Sequence, residues 1–416
     1  MKRSPLLVVA ALTAACSSTP SASPTDGGVT SLDSGSPTLD ASLDALPSDG
    51  AAPVDAGSDA VPTDSGPTYR DPLVQPFASD SIWNMPIGSA ATYVAAGIAV
   101  ATGTTLESDE DVIVQTPTAP SLSIFRNTAD WNPNVSRCPY DAGALLFDAP
   151  IPSAFVIGDT PTSSTPNSGL AVLLGDSVTV KQTQPFARCT AGAPATSDYV
   201  APDVSLYGAG ITGAHGGSGL SAIGGTLRVG ELRPGGPPPH HVLKLELYAA
   251  KNYYDDGKQA DCYRWPATGC DGYFDDSTSP LKYGGTNPAL GPGSLLALPA
   301  SVSIASLGLT TEPAKTLAWT LQNYGAYLVD DTAWSAVAVC TENGPAGSFE
   351  QQFQTDWGYP IDTGGTTGAF AADMAKLEAA LAVVTDNGPS AIGGGGTPLQ
   401  PLALPLPPQP GPAGDP

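Results

Sequence analysis

A mainly β protein, a β-sandwich or jelly-roll-like domain with two helices near its C-terminus, is the fold class this sequence predicts. Three observations carry that expectation. Short runs rich in Val, Ile, Leu and Thr recur between residues 111 and 299, and Gly, Pro, Asn and Ser separate them. Several runs alternate apolar and polar residues, as a strand with one wet face does. Two stretches late in the chain switch instead to helical spacing.

The elements follow in chain order. Met1-Lys2-Arg3 and the apolar run Pro5 to Ala15 form a secretory leader, and LTAAC places Cys16 where a bacterial lipoprotein is lipidated, so residues 1–16 are read as a lipoprotein signal. Residues 17–68 hold Ser, Thr, Ala, Pro, Gly and Asp and almost nothing large. Such a segment cannot bury enough surface to offset its ordering entropy and is expected to be a disordered tether, kept extended by its aspartates. Residues 69–387 are then one large domain. Residues 388–416, GGGG followed by PLALPLPPQPGPAGDP, are expected to be a disordered tail.

Within the domain, the expected strands are DVIVQT (111–116), SLSIFR (121–126), ALLFD (144–148), AFVIG (154–158), LAVLLG (170–175), VTVKQT (178–183), TLRVGEL (226–232), VLKLELY (242–248) and SLLALP (294–299). TTEPAKTLAWTLQNYG predicts the first helix. Thr310 or Thr311 caps it, Pro313 suits its first turn, Leu317 and Leu321 share a face, and Gly325 ends it before the strand AYLVDD. GAFAADMAKLEAALAVV predicts the second, with Phe370, Met374, Leu377 and Leu381 on one stripe facing the core.

Charge and cysteine use narrow the function. The formal net charge of −24 leaves the domain strongly acidic even without leader and tether. That excludes nucleic acid as a partner, because binding it requires clustered Lys and Arg. Of the six cysteines, Cys262 and Cys270 close a short loop as one disulfide, Cys138 and Cys189 form a second, and Cys340 is left free. With no CxxC pair there is no zinc ribbon, and no EF-hand, Walker, HExxH, GxSxG or dinucleotide motif is present.

Candidate site residues come from three places. The six tryptophans lie in the domain, several in Gly- and Pro-rich loops beside polar groups, which suits stacking on sugar rings; Trp83 and Trp265 are the platforms chosen. HHVL opens a strand, so His240 and His241 face opposite ways, which argues against a two-histidine metal chelate and leaves His241 as a proton-transfer group. If TLRVGEL is a strand, Glu231 and Arg233 share a face as a carboxylate held by a guanidinium. Further acidic candidates are Asp271, the Asp255-Asp256, Asp275-Asp276 and Asp330-Asp331 doublets, and Glu342. No cofactor is expected; a zinc or copper site through the histidines is disfavoured, and calcium in the Asp-rich loops is the ion kept open.

DSIWNMPI (80–87), SGLSAIGGTLRVGEL (218–232), HHVLKLEL (240–247), YRWPATGCDGY (263–273) and YGAYLVDD (324–331) together resemble a widespread group of secreted bacterial β-rich proteins. The resemblance implies a shared domain and no activity; within it, the strand histidine corresponds to His241 and the Asp-Gly pair to Asp271-Gly272. GELR and LYAAKNYY also resemble jelly-roll polysaccharide lyases of the alginate lyase type, although the Gln-x-His strand of that family is missing. That likeness implies Arg233 on a uronate carboxylate, with His241 and Tyr248 or Tyr253 moving protons.

The expectation is a lipid-anchored cell-surface protein that cleaves extracellular polysaccharide, as a glycoside hydrolase, favoured slightly, or as a polysaccharide lyase. Glu231, His241 and Asp271 are the expected catalytic residues, and Arg233, Trp265, Tyr248 and Trp83 the substrate-binding ones. The chain is read as a monomer that meets the membrane only through its lipid. A carbohydrate-binding or adhesion module on a stalk is the alternative.

Overall fold

The structure, a computed structural model, describes residues 68–132, 135–158, 167–258 and 261–411. The leader, Cys16 and nearly all of the tether lie outside the described residues. In chain order the strands are β1 (Tyr93–Ala95), β2 (Thr104–Val114), β3 (Ser121–Arg126), β4 (Leu145–Pro150), β5 (Leu170–Leu173), β6 (Thr179–Gln184), β7 (Ala195–Ser197) and β8 (Tyr199–Val200). They continue as β9 (Val204–Ser205), β10 (Leu243–Leu247), β11 (Leu295–Ala297), β12 (Ala326–Asp331), β13 (Ala336–Gly344), β14 (Gly347–Ser348) and β15 (Ala382–Val384). The helices are α1 (Ala249–Asn252), α2 (Glu312–Asn323), α3 (Phe349–Trp357) and α4 (Ala369–Ala380).

The β-rich class expected from the sequence is the one observed. A twelve-stranded sheet runs β1-β15-β11-β12-β10-β13-β2-β5-β6-β8, with β14 on β13 and β9 on β6; β4-β3-β7 form a second sheet. The large sheet is mixed rather than antiparallel throughout, since β10–β12, β13–β2 and β2–β5 pair in parallel. A parallel pair is usually buried on both faces, and the middle of this sheet is.

β10 shows how the layers form. Leu243, Leu245 and Leu247 point to one face and join Leu317 and Leu321 of α2, Phe349 and Phe353 of α3, and Phe370, Met374 and Leu377 of α4 in one core. Each such leucine stabilises the fold by roughly 1.5–3 kcal/mol. Lys244 and Glu246, between them in sequence, point to the opposite face and are also buried. A separate cluster joins Val112, Val114, Leu170 and Val172 to Ile124 and Ala149 of the smaller sheet.

Helices α2 and α4 fall where their periodicity predicts, but the cap of α2 differs. Thr311 occupies the N-cap without a side-chain cap bond. Asp373 of α4 instead accepts the backbone N–H of Thr310 and Thr311, both at 2.7 Å, and their hydroxyls. Helix α3 was not expected; Ser348 caps it through the N–H of Gln351, and Gly358, at φ 77°, ends it.

Two expected strands are not formed. AFVIG contributes a single bridge, Ile157 to Arg188, and TLRVGEL a single bridge, Leu227 to Thr341. In the second, Gly230 at φ 104° and Leu232 at φ 49° turn the backbone out of the extended region, so Glu231 and Arg233 share no strand face. The expectation of a disordered tail is likewise corrected over residues 388–411. Leu399 N–H donates to Ile87 O at 2.8 Å, Gly88 N–H to Gly393 O at 2.9 Å, and Arg70 N–H to Pro405 O at 3.1 Å. Gly393 to Gly396 all have positive φ. A Cβ on Gly393 would stand 2.5 Å from Pro86 O and one on Gly394 2.7 Å from Ala91, so these glycines permit close packing rather than looseness.

Both expected disulfides are present, with Cα separations of 5.7 Å for Cys138–Cys189 and 6.1 Å for Cys262–Cys270. Cys340 is free and buried. Among the described residues, no helix is long and apolar enough to cross a membrane.

Candidate active site

The inner polar face of the large sheet carries acidic residues on four neighbouring strands. On β2, Glu107, Asp109 and Asp111 alternate onto that face; across from them on β13 stand Ala338, Cys340 and Glu342 in register. Glu246 of β10 pairs with Ala338 on one side and Asp330 of β12 on the other. Registration therefore sets Asp109, Glu246 and Asp330 close together. Loop residues Gly216 and Gly217 and the segment after Cys270 line a cleft with them, of about 670 Å³.

Glycine is required where that loop crosses the carboxyls. A Cβ on Gly216 would lie 2.9 Å from Asp330 Oδ2; one on Gly217, at φ 55°, would lie 3.0 Å from Asp271 Oδ1. Aromatic side chains stand at the mouth. Trp131 and Trp334, 42% and 55% exposed, line the cleft with Tyr273, and Trp334 Nε1 donates to Glu107 Oε1 at 2.7 Å.

The floor is an ordered polar network. Asp111 is fully buried and accepts from Lys244 Nζ (2.6 Å), Thr226 Oγ1 (2.6 Å) and His215 Nε2 (3.1 Å). Burial works against its ionised form, but Lys244 and His215 outweigh that and hold its carboxyl below the usual range. For His215, burial and Lys244 disfavour the charged ring, while Asp111 and Asp330 prevail and push it up to about 9. Its Nδ1 lies 3.6 Å from Asp330 Oδ2 and 3.8 Å from Glu246 Oε1, with no hydrogen-bond partner.

The carboxyls above the floor are held toward their protonated forms. Burial, reinforced by Asp111 and Asp330 and opposed by His215, pushes Asp109 up to about 6. Burial and the charges of Asp109 and Asp330 raise Glu246 well above its ordinary value. Burial and Asp330 likewise push Asp271 up to about 7, against the hydrogen bond from Tyr283 Oη at 2.6 Å. Tyr273 Oη donates to Asp331 Oδ2 at 3.0 Å. Burial also raises the Cys340 thiol, which leaves it a poor nucleophile.

Of the three expected catalytic residues, only Asp271 lies in this cleft. Glu231 and His241 form a pair of their own, with His241 Nε2 3.0 Å from Glu231 Oε1 and Nδ1 donating to Val242 O at 2.9 Å. The adjoining cavity, lined by His241, Arg228 and Trp83, is about 20 Å³, room for a water molecule and not for a sugar. Arg228 binds Glu342 there at 2.9 Å, so this region is a buried ion network in the wall of the domain.

The expected substrate-binding residues are elsewhere too. Arg233 is exposed and pairs with Asp356 at 3.0 Å, not with Glu231. Trp83 is 2% exposed, donates to Gly210 O at 2.7 Å and meets Tyr327 edge to face, because it fills the core. Trp265 packs half-buried against that core. Tyr248 heads α1 and its carbonyl accepts from Asn252 Nδ2. Tyr253 is buried, its hydroxyl donating to Asp330 O at 2.5 Å. His240 stacks on Trp319 at 4.9 Å, away from His241's pair.

Sequence reasoning passed over Glu107, Asp109 and Glu246. The expected strand DVIVQT begins only at Asp111 and leaves the acidic half of ESDEDVIV outside it, and Glu246 stands at a polar position of an alternating strand. The signal was a single eleven-residue strand with carboxyls at every second position. No family model, curated protein or solved structure matches this chain.

Proposed function

We propose that this cleft hydrolyses glycosidic bonds in an extracellular polysaccharide. The observation that carries the reading is Asp271, a carboxyl pushed up to about 7 and oriented by Tyr283 in a cleft that is also lined by Asp109, Glu246 and Asp330 and by exposed tryptophans. A general acid for a leaving sugar oxygen needs a pKa near the working pH, and glycoside hydrolysis needs a second carboxyl facing it. In this reading Asp271 protonates the leaving oxygen. The Asp109–Glu246–Asp330 group offers the second carboxyl, which takes a proton from the attacking water.

The acidity of the cleft favours a neutral glycan over a uronate polymer, and so hydrolysis over lyase chemistry. Display on a lipid-anchored tether belongs to the same proposal; the leader, Cys16 and two disulfides of the kind formed outside the cytoplasm support it.

The test is to incubate the protein with neutral and uronate polysaccharides and follow reducing ends together with the ultraviolet absorbance of unsaturated uronates. New reducing ends without that absorbance support hydrolysis at this cleft, provided Asp271→Asn abolishes them. Both signals together replace hydrolysis by elimination. Retention on a polymer with neither signal replaces the enzyme by a binding module that uses Trp131 and Trp334.

A further inference from the structure

We infer that the floor of the cleft is a divalent-cation site, with His215 Nδ1 and carboxyl oxygens of Asp109, Glu246 and Asp330 as ligands. The inference does not depend on which polymer the cleft accepts. It departs from the sequence expectation of no metal, which weighed His240 and His241 and found them unable to converge.

Four observations carry it. Asp109, His215, Glu246 and Cys340 offer donor atoms that all lie within 4.8 Å of one another. The imidazole is also prepared as a ligand: its Nε2 bonds Asp111 at 3.1 Å, and Lys244 and Thr226 fix Asp111 in turn. A histidine that binds a metal through one nitrogen characteristically donates the other N–H to a carboxylate, which sets its tautomer and orientation.

The remaining nitrogen, Nδ1, is buried and has no hydrogen-bond partner, on a side chain only 1% exposed. It faces Asp330 Oδ2 at 3.6 Å and Glu246 Oε1 at 3.8 Å, too far for hydrogen bonds. Two tetrahedral ligands held at about 2.1 Å from a zinc ion stand about 3.4 Å apart, close to these spacings. Finally, Asp109, Asp111, Glu246 and Asp330 crowd one desolvated region in which Lys244 is bonded to Asp111 alone among them. A cation between the other three relieves their mutual repulsion.

One imidazole with carboxylates suits zinc or manganese. Cys340 Sγ lies 3.5 Å from His215 Nε2, on the ring edge that faces Asp111, so it forms the wall of the site rather than a ligand.

The test titrates the full chain, stripped with EDTA and dialysed, with zinc chloride and separately manganese chloride by calorimetry in two buffers of different ionisation heat. The expected result is one equivalent bound, with a buffer-dependent heat that reports protons displaced from His215 and the carboxyls. Glu246→Gln and Asp109→Asn should weaken binding more than about 100-fold, and Asp111→Asn, acting through His215, about 10- to 100-fold. Cys340→Ser and Glu231→Gln should leave it unchanged. Should the Glu246 and Asp109 variants fail to melt cooperatively, Asp330→Asn replaces them with the same expected loss. Absence of binding by either metal, or binding that survives in cooperatively folded ligand variants, overturns the inference. Loss of binding in Cys340→Ser overturns the ligand set.

Discussion

Tyr283 donates its hydroxyl to Asp271 across 2.6 Å, and the same oxygen accepts the Asp271 N–H at 3.3 Å. One phenol thus fixes both the backbone and the carboxyl of the residue proposed as general acid. Because Asp271 acts protonated, activity should persist below its pKa, about 7, and fall as pH rises through it. Asp271→Asn should lower kcat by about 10²- to 10⁴-fold. Tyr283→Phe removes a bond that favours the ionised carboxyl, so the alkaline limb of the kcat/KM profile should move to higher pH. A limb that stays in place would show that another group titrates.

Trp334 and Trp131 are positioned to hold sugar rings rather than to reach the bond that breaks. Removing either ring with Ala should raise KM about 2- to 12-fold, the range that stacking of about 0.5–1.5 kcal/mol gives, with kcat little changed. Steady-state kinetics on a polymer that the protein cleaves check this split. A fall in kcat at constant KM would place the tryptophan in the transition state instead.

Much of the fold could be read in advance because its signals are local. SLSIFR forms β3 over the expected six residues, AYLVDD forms β12, and both expected helices occur at their stripes. TLRVGEL has strand composition but is overruled by the positive φ of Gly230 and Leu232, a demand set by packing that composition does not record. The site was only partly legible for a related reason. Asp271 and His215 stood in marked loops, whereas Asp109 and Glu246 meet across β13, which pairs in parallel with β2 and antiparallel with β10, between segments more than a hundred residues apart. Buried charge on such strands looks identical to a wet face.

Glu231 and His241 should matter for stability and not for turnover. His241 holds Glu231 below its ordinary value against the cost of burial, and Glu231 holds His241 above its own. The carboxylate's contribution is complete above its unfolded value of 4.5 and lost as pH falls through its lower folded value. The imidazolium's is complete below 6.5 and lost as pH rises through its higher folded value. The pair therefore stabilises most between those two limits. Glu231→Gln should cost about 1.5–3 kcal/mol in that window and less on either side, read from melts across pH.

Asp373 ties two helices together from within α4. It takes the N–H groups at the start of α2 and pairs with Lys376 Nζ at 3.0 Å; against the cost of burial, the Thr311 N–H first and then Lys376 and the Thr310 N–H hold its carboxyl well below the usual range. Asp373→Ala leaves two amide donors at a helix start without an acceptor and should cost about 1–3 kcal/mol. Thr311→Ala in the Asp373→Ala background should add little, since the threonine hydroxyl acts only through that carboxylate. Additive losses in a double-mutant cycle would show that the two act separately.

Glu378, also on α4, is the opposite case. Its Oε1 is buried with no hydrogen-bond partner beside Ile98, Ala99 and Ala375, and burial alone pushes its carboxyl up to about 8. A raised folded pKa means that the unfolded chain releases the proton first. Stability is therefore complete below 4.5 and falls as pH rises toward about 8. Glu378→Gln keeps the shape and discards the titration. The variant should match the parent near pH 4 and exceed it above pH 8, by a margin on the order of 3 kcal/mol. Denaturant unfolding at the two ends of that range measures the margin. Equal stability at both would mean that the carboxylate reaches water when it ionises, and that the slot between α4 and the segment before β2 opens to admit it.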